Sequence, residues 1–235
     1  MTVVRALAKL TLTLRVTGVR ADGFHLLDAE MVTVDLVDEL AFSDGDGLFV
    51  DVIGGAAPVP TDDSNLVRRA LRLVGATAQV RLTKRIPAGG GLGGGSADAA
   101  AVLRWAGVTD PQAAASLGSD VPFCLVGGRA RVSGVGEVVE PLPFQARTFT
   151  LLTPPFGVPT PAVYRSWDEL GGPTGDGPND LEPAALAVEP RLAQWRDRLA
   201  EATGATPTLA GSGSTWFVEG DHPGPGLIVV HTDLP

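Results

Sequence analysis

The pattern of apolar and polar residues predicts a chain that begins with β-strands. Leucines alternate with polar residues from Leu10 to Val16, as in a strand with one buried face. The Asp22-Gly23 pair that follows predicts a tight turn. Short apolar runs bounded by turn residues predict further strands over residues 30–36, 38–43, 48–53, 79–83, 129–133, 137–141, 148–153 and 227–230.

Apolar residues at helical spacing predict helices between these strands. One covers residues 64–74, where Ser64 or Asn65 can cap the first turn. An alanine-rich segment predicts a second helix that begins near Ser96, because alanine has the highest helix propensity. Pro111 begins a short third helix. Two more helices are predicted over residues 164–170 and 189–202, and a loop rich in glycine, proline and aspartate over residues 54–63.

A run of glycines, the glycine loop, lies near the centre of the chain. Six of the seven residues from Gly89 to Gly95 are glycine, and Leu92 is the exception. Because glycine has no Cβ, such a backbone can approach a ligand closely. The helix that follows offers unpaired N–H groups and the positive end of its dipole. The sequence therefore predicts an anion site of the kind that binds phosphate.

Other interpretations of the glycine loop are weaker. The chain has no Gly-x-x-x-x-Gly-Lys-Ser/Thr motif, so this is not a Walker A loop. Gly89, Gly91 and Gly94 fit the Gly-x-Gly-x-x-Gly pattern of dinucleotide-binding oxidoreductases, but a glycine run matches that pattern trivially. The acidic residue expected further on, Asp110, follows a helix, so an oxidoreductase ranks last. A merely flexible loop is disfavoured because Pro87 and the helix fix its two ends.

Composition and charge narrow the possible functions. The 235 residues are 44% hydrophobic and 19% charged, as in an ordinary globular protein of one or two domains. A net charge of −9 argues against binding to nucleic acid or to an anionic membrane, although a nest of amides can still hold one phosphate group. Cys124 is the single cysteine, so neither an internal disulfide nor, with three histidines, a zinc framework is expected.

Location and domain organisation are also predicted. The N-terminus lacks a signal-peptide pattern and no uncharged stretch reaches membrane-spanning length, so we expect a cytoplasmic protein. No feature of the sequence indicates an obligate protein partner. Prolines between Pro141 and Pro161 mark the best candidate for a domain boundary, which divides the chain into residues 1–145 and 146–235.

The glycine loop and its flanks resemble the ATP-phosphate loop of the GHMP small-molecule kinases. Residues 87–100, Pro-Ala-Gly-Gly-Gly-Leu-Gly-Gly-Gly-Ser-Ala-Asp-Ala-Ala, carry this resemblance. Other segments match the family in order, at residues 8–14, 22–25, 64–67, 117–123, 159–161, 179–182 and 211–213. The joint match spans roughly residues 5–220 and is far more specific than any one motif.

This resemblance implies a fold and an activity. The fold is α+β with two domains, an N-terminal domain of mixed sheet and helices and a smaller C-terminal α+β domain. The activity is phosphoryl transfer to the hydroxyl of a small molecule, with ATP and Mg²⁺ as cofactors. The all-glycine centre is similar to one branch of the family, whose substrate carries a cytidine diphosphate group.

The resemblance also implies a catalytic pair. In the family, the aspartate of the Gly-Ser-Asp-Val-Pro-Phe motif, here Asp120, is the proposed general base, and Lys9 faces it. A neighbouring cation keeps a carboxylate ionised and can stabilise charge near the transferring phosphoryl group. Considered alone, Asp120 would be a surface turn residue and Lys9 a solvated lysine.

A further set of residues is implied to bind ATP. The glycine loop supplies Pro87, Gly89, Gly90, Gly91, Leu92, Gly93, Gly94, Gly95 and Ser96. The Ser96 hydroxyl is implied to contact a phosphate or Mg²⁺, and it can also cap the helix. Asn65, Leu66 and Lys84 are implied to form the adenine pocket, with Lys84 over the purine face. Considered alone, they belong to an amphipathic helix and the end of a strand.

The last implied set binds the phosphoryl acceptor: Thr11, Phe24, His25, Thr160, Tyr164, Gly211, Ser212 and Gly213. His25 is implied to hydrogen-bond the cytosine, and Phe24 and Tyr164 to lie on either side of it. Phe24 replaces the usual tyrosine of the family and Thr11 the usual asparagine, which alters polar contacts without removing the site. Considered alone, His25 is an ordinary structural histidine.

Two alternative functions stay open. A GHMP kinase for another small alcohol, such as homoserine or a mevalonate derivative, would have no base to stack against Phe24, His25 and Tyr164. A non-catalytic nucleotide-binding homologue would have no need to retain both Lys9 and Asp120. An assay of ATP consumption with the cytidine substrate distinguishes them.

Overall fold

A computed structural model describes residues 1–53, 59–173 and 177–235. Groups of strands and groups of helices follow one another along the chain, and the strands form two sheets. The α+β prediction is confirmed. Of the loop predicted over residues 54–63, residues 54–58 lie outside the described part.

The first sheet is built around one long strand. Its six strands are β1 (Thr2–Val19), β2 (His25–Ser43), β3 (Gly47–Val52), β4 (Gln79–Lys84), β5 (Arg129–Gly134) and β6 (Val138–Leu142). Strand β2 pairs antiparallel with β1 along nearly its whole length, with β5 through its first half and with β4 through its last residues. Strand β3 runs parallel to β4, and β6 antiparallel to β5. The turn predicted at Asp22-Gly23 joins β1 to β2.

The two strands predicted over residues 30–36 and 38–43 are one strand. Leu7 pairs with Val37 whereas Ala8 pairs with Val34, so two residues of β2 bulge out of the register. One of them, Asp35, directs its carboxylate to His231 on the neighbouring sheet. The bulge breaks the apolar alternation without ending the strand.

The second sheet contains four short strands. They are β7 (Thr148–Leu152), β8 (Thr208–Leu209), β9 (Trp216–Glu219) and β10 (Ile228–His231), in the order β10-β7-β9-β8. The chain changes sheets between residues 142 and 148. Phe149 and Phe217 nevertheless pack in the same apolar core as the first sheet, so the boundary at residues 145 and 146 stays a prediction.

Seven helices are found in the described part of the chain. They are α1 (Leu66–Leu73), α2 (Gly94–Trp105), α3 (Pro111–Ala115), α4 (Val121–Val126), α5 (Thr160–Glu169), α6 (Glu182–Val188) and α7 (Leu192–Thr203). Helices α4 and α6 are missing from the sequence prediction because each is at most seven residues long, too short for a periodic pattern. None of the helices in the described ranges is long and apolar enough to cross a membrane.

Helix α2 begins at Gly94, two residues before Ser96, which agrees with the predicted start. Its N-cap is Gly93, in the left-handed conformation, so Ser96 does not cap the helix. The alanines of α2 are buried almost all around, because small side chains allow it to pack against β1, α1 and α4 at once.

Strand β1 is buried more completely than predicted. Alternation of buried and exposed residues holds from Leu12 to Val16, but Lys9, Leu10 and Thr11 are all buried. Leu10 packs in the apolar core, while Lys9 and Thr11 lie against the glycine loop and its cavity. Two polar residues therefore occupy a buried strand face.

We expect Leu103→Ala in α2 to lower the free energy of unfolding by about 2–5 kcal/mol, because Leu103 is fully buried and the core cannot close the cavity. Leu73→Ala in α1 is the control, since Leu73 is 47% exposed and its truncation costs less than about 1 kcal/mol. Urea denaturation measures both. Equal losses for the two variants would contradict this packing.

Candidate active site

The glycine loop adopts a conformation that only glycine tolerates well. Gly89, Gly91 and Gly93 have φ values of +71°, +76° and +66°, so every second residue is left-handed. Helix α2 follows directly, and no side chain in the described part of the chain caps its first N–H groups. These amides are available to an anion, as the sequence predicts.

Close contacts with the rest of the protein also require glycine. A Cβ on Gly91 would lie 2.1 Å from the carbonyl oxygen of Ala210. A Cβ on Gly93 would lie 2.7 Å from Cγ of Lys9, and one on Gly94 would lie 2.7 Å from Nζ of Lys84. Residues from β1, from the end of β4 and from the segment after β8 thus contact the loop and determine its path.

The segment Gly211-Ser212-Gly213 forms a second glycine turn beside the loop. The Thr215 amide, just after this turn, donates to the carbonyl of Gly90 at 3.1 Å. The buried Asn179 side chain donates to the carbonyl of Gly211 at 2.7 Å, which fixes the turn from behind. The Ser212 and Thr160 hydroxyls are 2.7 Å apart and join the turn to the start of α5.

Lys9 and Asp120 meet as predicted. Lys9 Nζ lies 3.4 Å from Asp120 Oδ2 and donates to Thr11 Oγ1 at 3.0 Å. The Lys9 side chain is 5% exposed and that of Asp120 is 32% exposed, so the carboxylate alone reaches solvent. The Lys9 backbone N–H donates to the carbonyl of Leu92, which attaches the strand to the glycine loop.

Local structure presents both catalytic candidates. The register of β1 shifts between Leu7 and Ala8 and again after Thr11, so the segment that carries Lys9 lies between two irregularities. Asp120 immediately precedes α4, and its carboxylate makes no capping hydrogen bond to that helix. The Asp120 carboxylate is therefore available for chemistry.

One cavity of about 440 Å³ joins these features. Both catalytic candidates and all the predicted ATP-binding residues line it, as do Thr11, Thr160, Tyr164, Gly211 and Ser212. Sequence reasoning missed part of its wall, the apolar side chains of Leu14, Leu27 and Met31. They alternate along strands like ordinary core residues, so no sequence signal distinguishes them.

Three predicted residues do not line this cavity. Phe24 is 60% exposed beyond the β1–β2 turn, with the Arg20 guanidinium 5.8 Å from its ring centre. Gly213 lies inside the second glycine turn, where its amide donates to Ala210. His25 stands behind Tyr164, with ring centres 4.7 Å apart. That spacing leaves no room for a base between these two rings.

A partner of His25 was not predicted. His25 Nε2 lies 2.8 Å from Asp168 Oδ1, and the ring of Trp167 meets that of His25 edge-on at 5.6 Å. Asp168 is 143 positions away in sequence, so no local pattern connects the two residues.

Burial raises the pKa of the Tyr164 hydroxyl, which therefore stays protonated and can donate into the cavity.

The position of Lys84 over a purine stays a prediction, and the structure adds two acidic partners that the sequence did not suggest. Its side chain is 2% exposed, and Nζ is paired with Asp38 and, at 2.8 Å, with Asp98. The ammonium group lies against Gly94, the first residue of α2. Asp38 and Asp98 were missed because they are 46 and 14 positions from Lys84, on a strand and a helix whose packing sequence does not reveal.

Burial and neighbouring charges act in opposite directions on the pKa values of Lys84 and Asp98. Burial lowers the pKa of Lys84, but the two carboxylates outweigh it and raise the pKa overall, so the lysine is charged. Burial raises the pKa of Asp98 to about 7, against the lowering effect of Lys84. Within the described residues, Asp98 Oδ1 has no hydrogen-bond partner, as suits a carboxyl that gains a proton easily.

The fold and site define a small-molecule kinase of the GHMP class. A sequence profile described as the GHMP kinases N terminal domain matches residues 65–128, which include the glycine loop and Asp120. The chain is also similar to a solved mevalonate kinase from Methanococcus jannaschii (10% identity, 100% and 98% of the two chains, TM-score 0.59), a likeness of fold alone.

Closer relatives share one name. A 4-diphosphocytidyl-2-C-methyl-D-erythritol kinase from Cereibacter sphaeroides is 40% identical over 92% of this chain and 88% of its own length. One from Paracoccus denitrificans is 40% identical over 89% and 84%. The crystal structure of a 4-(cytidine 5'-diphospho)-2C-methyl-D-erythritol kinase matches 99% of this chain and 100% of its own, with 31% identity and a TM-score of 0.79. The chain belongs to the 4-diphosphocytidyl-2-C-methyl-D-erythritol kinase family.

We expect Gly91→Ala to weaken ATP binding at least about tenfold, because the new Cβ collides with the second glycine turn and displaces the amides. Gly107→Ala is a matched control: both glycines have φ +76°, but a Cβ on Gly107 meets nothing within 4 Å. The control should lose only about 1–2 kcal/mol of stability to backbone strain. Titration calorimetry with ATP measures the difference, and equal affinities would contradict the contact.

We expect Asp98→Asn to flatten the pH dependence of stability. Since the folded pKa is raised from 3.8 to about 7, the contribution of Asp98 to stability is present below about pH 4 and lost as the pH rises through 7. Relative to wild type, the variant should gain at least about 1 kcal/mol between pH 4.5 and pH 7.5. Urea denaturation across this range measures it, and parallel curves for the two proteins would show that Asp98 has an ordinary pKa.

Proposed function

We propose that this protein transfers the γ-phosphoryl group of ATP to the 2-hydroxyl of 4-diphosphocytidyl-2-C-methyl-D-erythritol, a step of the non-mevalonate isoprenoid precursor pathway. The observation that carries the proposal is the Lys9–Asp120 pair in the same cavity as the glycine loop. The family names of the relatives support the choice of acceptor. A cytoplasmic location remains a prediction.

The glycine loop and the start of α2 bind the phosphates in this proposal. Their amides need no rearrangement during the reaction, because contacts with Lys9, Lys84 and Ala210 already determine the backbone. Preorganised donors of this kind stabilise charge as it develops on the transferring group. An acidic protein can therefore bind a highly charged nucleotide through oriented dipoles instead of net positive charge.

Asp120 is the general base. Its carboxylate accepts the proton of the 2-hydroxyl as that oxygen bonds to the γ-phosphorus, while the bond to the β–γ bridging oxygen breaks and ADP leaves. Lys9 is almost fully buried 3.4 Å away, so its charge is little screened and acts directly on the Asp120 carboxylate. Thr11 accepts a hydrogen bond from Lys9 and so holds the ammonium group in this direction.

The residues present fit Mg²⁺ bound mainly through the nucleotide. Among described residues there is no group of three or more His, Cys, Asp or Glu that could hold a metal by itself. Ser96 and Asp120 line the cavity and offer oxygen atoms, as Mg²⁺ prefers when it is shared with phosphates. Bound Mg²⁺ would neutralise charge on the β- and γ-phosphates.

The cytidine diphosphate part of the acceptor has polar and aromatic partners at the other end of the cavity. Tyr164 can stack on the base with one face, since His25 supports its other face. Thr160 and Ser212 place two hydroxyls next to it. Asn65, which caps α1, and Leu66 line the end assigned to adenine.

A kinase for homoserine or a mevalonate derivative remains the enzymatic alternative. The aromatic pair of His25 and Tyr164 argues against it, because those acceptors carry no base. Comparing phosphorylation of the three acceptors separates the possibilities. If no acceptor is phosphorylated and no ADP forms, the result would favour a non-catalytic nucleotide-binding homologue.

We expect Asp120→Asn to lower kcat with the cytidine substrate by at least about 100-fold, the usual contribution of a general base. ATP affinity should change less than about threefold, because the glycine loop is untouched. A coupled ADP assay and calorimetry measure the two quantities. Asp197→Asn, on the surface of α7 with a side chain 67% exposed, is the control. Turnover near the wild-type rate in Asp120→Asn would show that the base is another group.

A further inference from the structure

A buried charged cluster of Asp38, Lys84 and Asp98 ties both ends of the glycine loop together. On the entry side, Asp38 Oδ1 accepts hydrogen bonds from the amides of Arg85 at 2.5 Å and Ile86 at 2.8 Å. These two residues immediately precede Pro87, so a single carboxylate fixes the backbone at the point where the loop begins.

The exit side is held by the same cluster. Asp98 lies in the first turns of α2, four residues after Gly94, and accepts a hydrogen bond from Lys84 Nζ at 2.8 Å. The same ammonium group donates to Asp38 Oδ2. One cation thus bridges the strand before the loop and the helix after it.

The cluster lies directly beneath the phosphate-binding amides. Gly94 sits so close above Lys84 that a Cβ there would approach Nζ to 2.7 Å. The side chains of Asp38, Lys84 and Asp98 are at most 4% exposed, so water does not weaken their attraction. A movement of either end of the loop would break a buried charged hydrogen bond.

We infer that Asp38, Lys84 and Asp98 form a positioning group that sets the spacing of the phosphate-binding amides, with Lys84 acting on the loop and not on the purine. This inference rests on the proposed function for its ligand, ATP. It assigns to Lys84 a role in binding the triphosphate, whatever base is attached.

Stability alone is a weak explanation for the cluster. Replacing a buried ion pair by apolar side chains of similar volume often leaves stability unchanged or raises it. The other oxygen of the Asp38 carboxylate, Oδ1, accepts hydrogen bonds from the backbone amides of Arg85 and Ile86. These two bonds orient the backbone just before the glycine loop. The arrangement specifies one backbone geometry, and that geometry is what the phosphates contact.

The test uses inorganic triphosphate, which has phosphates but no base. We expect Lys84→Met to weaken binding of triphosphate and of ATP by the same factor, at least tenfold, in calorimetry. Preference for ATP over GTP should stay within twofold of wild type. In turnover assays, KM for ATP should rise, while KM for the acceptor changes less than threefold. If Lys84 instead covers the purine, triphosphate affinity will be unchanged and ATP affinity alone will fall, which overturns the inference.

A second pair of variants covers the case in which Lys84→Met does not fold. Asp98→Ala removes the exit-side connection but leaves Lys84 paired with Asp38. It should weaken triphosphate binding at least tenfold, at a temperature where thermal unfolding shows the protein to be folded. Asp98→Asn keeps an oxygen that accepts from Lys84 and should restore affinity to within threefold of wild type. Wild-type affinity in Asp98→Ala would overturn the inference.

Failure of the proposed function gives a different result. If the wild-type protein binds triphosphate but does not phosphorylate the cytidine substrate, the proposed acceptor is wrong. The loss of triphosphate affinity in the variants would still support the positioning group.

Discussion

The whole site depends on how closely other parts of the chain approach the glycine loop. Lys9 from β1, Lys84 from β4 and the carbonyl of Ala210, just after β8, each come within 2.7 Å of where a Cβ would stand. A chain with side chains at these positions could not bring the three segments together. Absence of Cβ therefore does more than allow unusual φ values, because it lets the loop be held rigidly from three sides.

Rigidity matters because the protein has little positive charge with which to attract a nucleotide. Its net charge is −9, and both lysines at the site are already paired with carboxylates, Lys9 with Asp120 and Lys84 with Asp38 and Asp98. Binding must then come from oriented amides and the helix dipole, which are effective only when their geometry is fixed in advance.

Sequence reasoning succeeded where chemistry and spacing are local. The glycine loop, the cap at Asn65 and the turn at Gly23 follow from residue types within a few positions. The Lys9–Asp120 contact, 111 positions apart by residue number, came only from resemblance to a family, since no pattern in one chain links such distant residues. For the same reason Asp38 and Asp98, the partners of Lys84, and Asp168, the partner of His25, were missed.

The two lysines illustrate why identical side chains acquire different tasks. Lys9 faces a carboxylate that is 32% exposed, so its charge acts on a group that can exchange a proton with a bound substrate. Lys84 faces two carboxylates that are at most 4% exposed. Its charge holds these carboxylates and the adjoining backbone in place. The Lys9 side chain lies against Gly93 and the Lys84 ammonium group against Gly94, where the loop enters α2. Solvent access of the partner, more than the lysine itself, separates a role in proton transfer from a role in positioning.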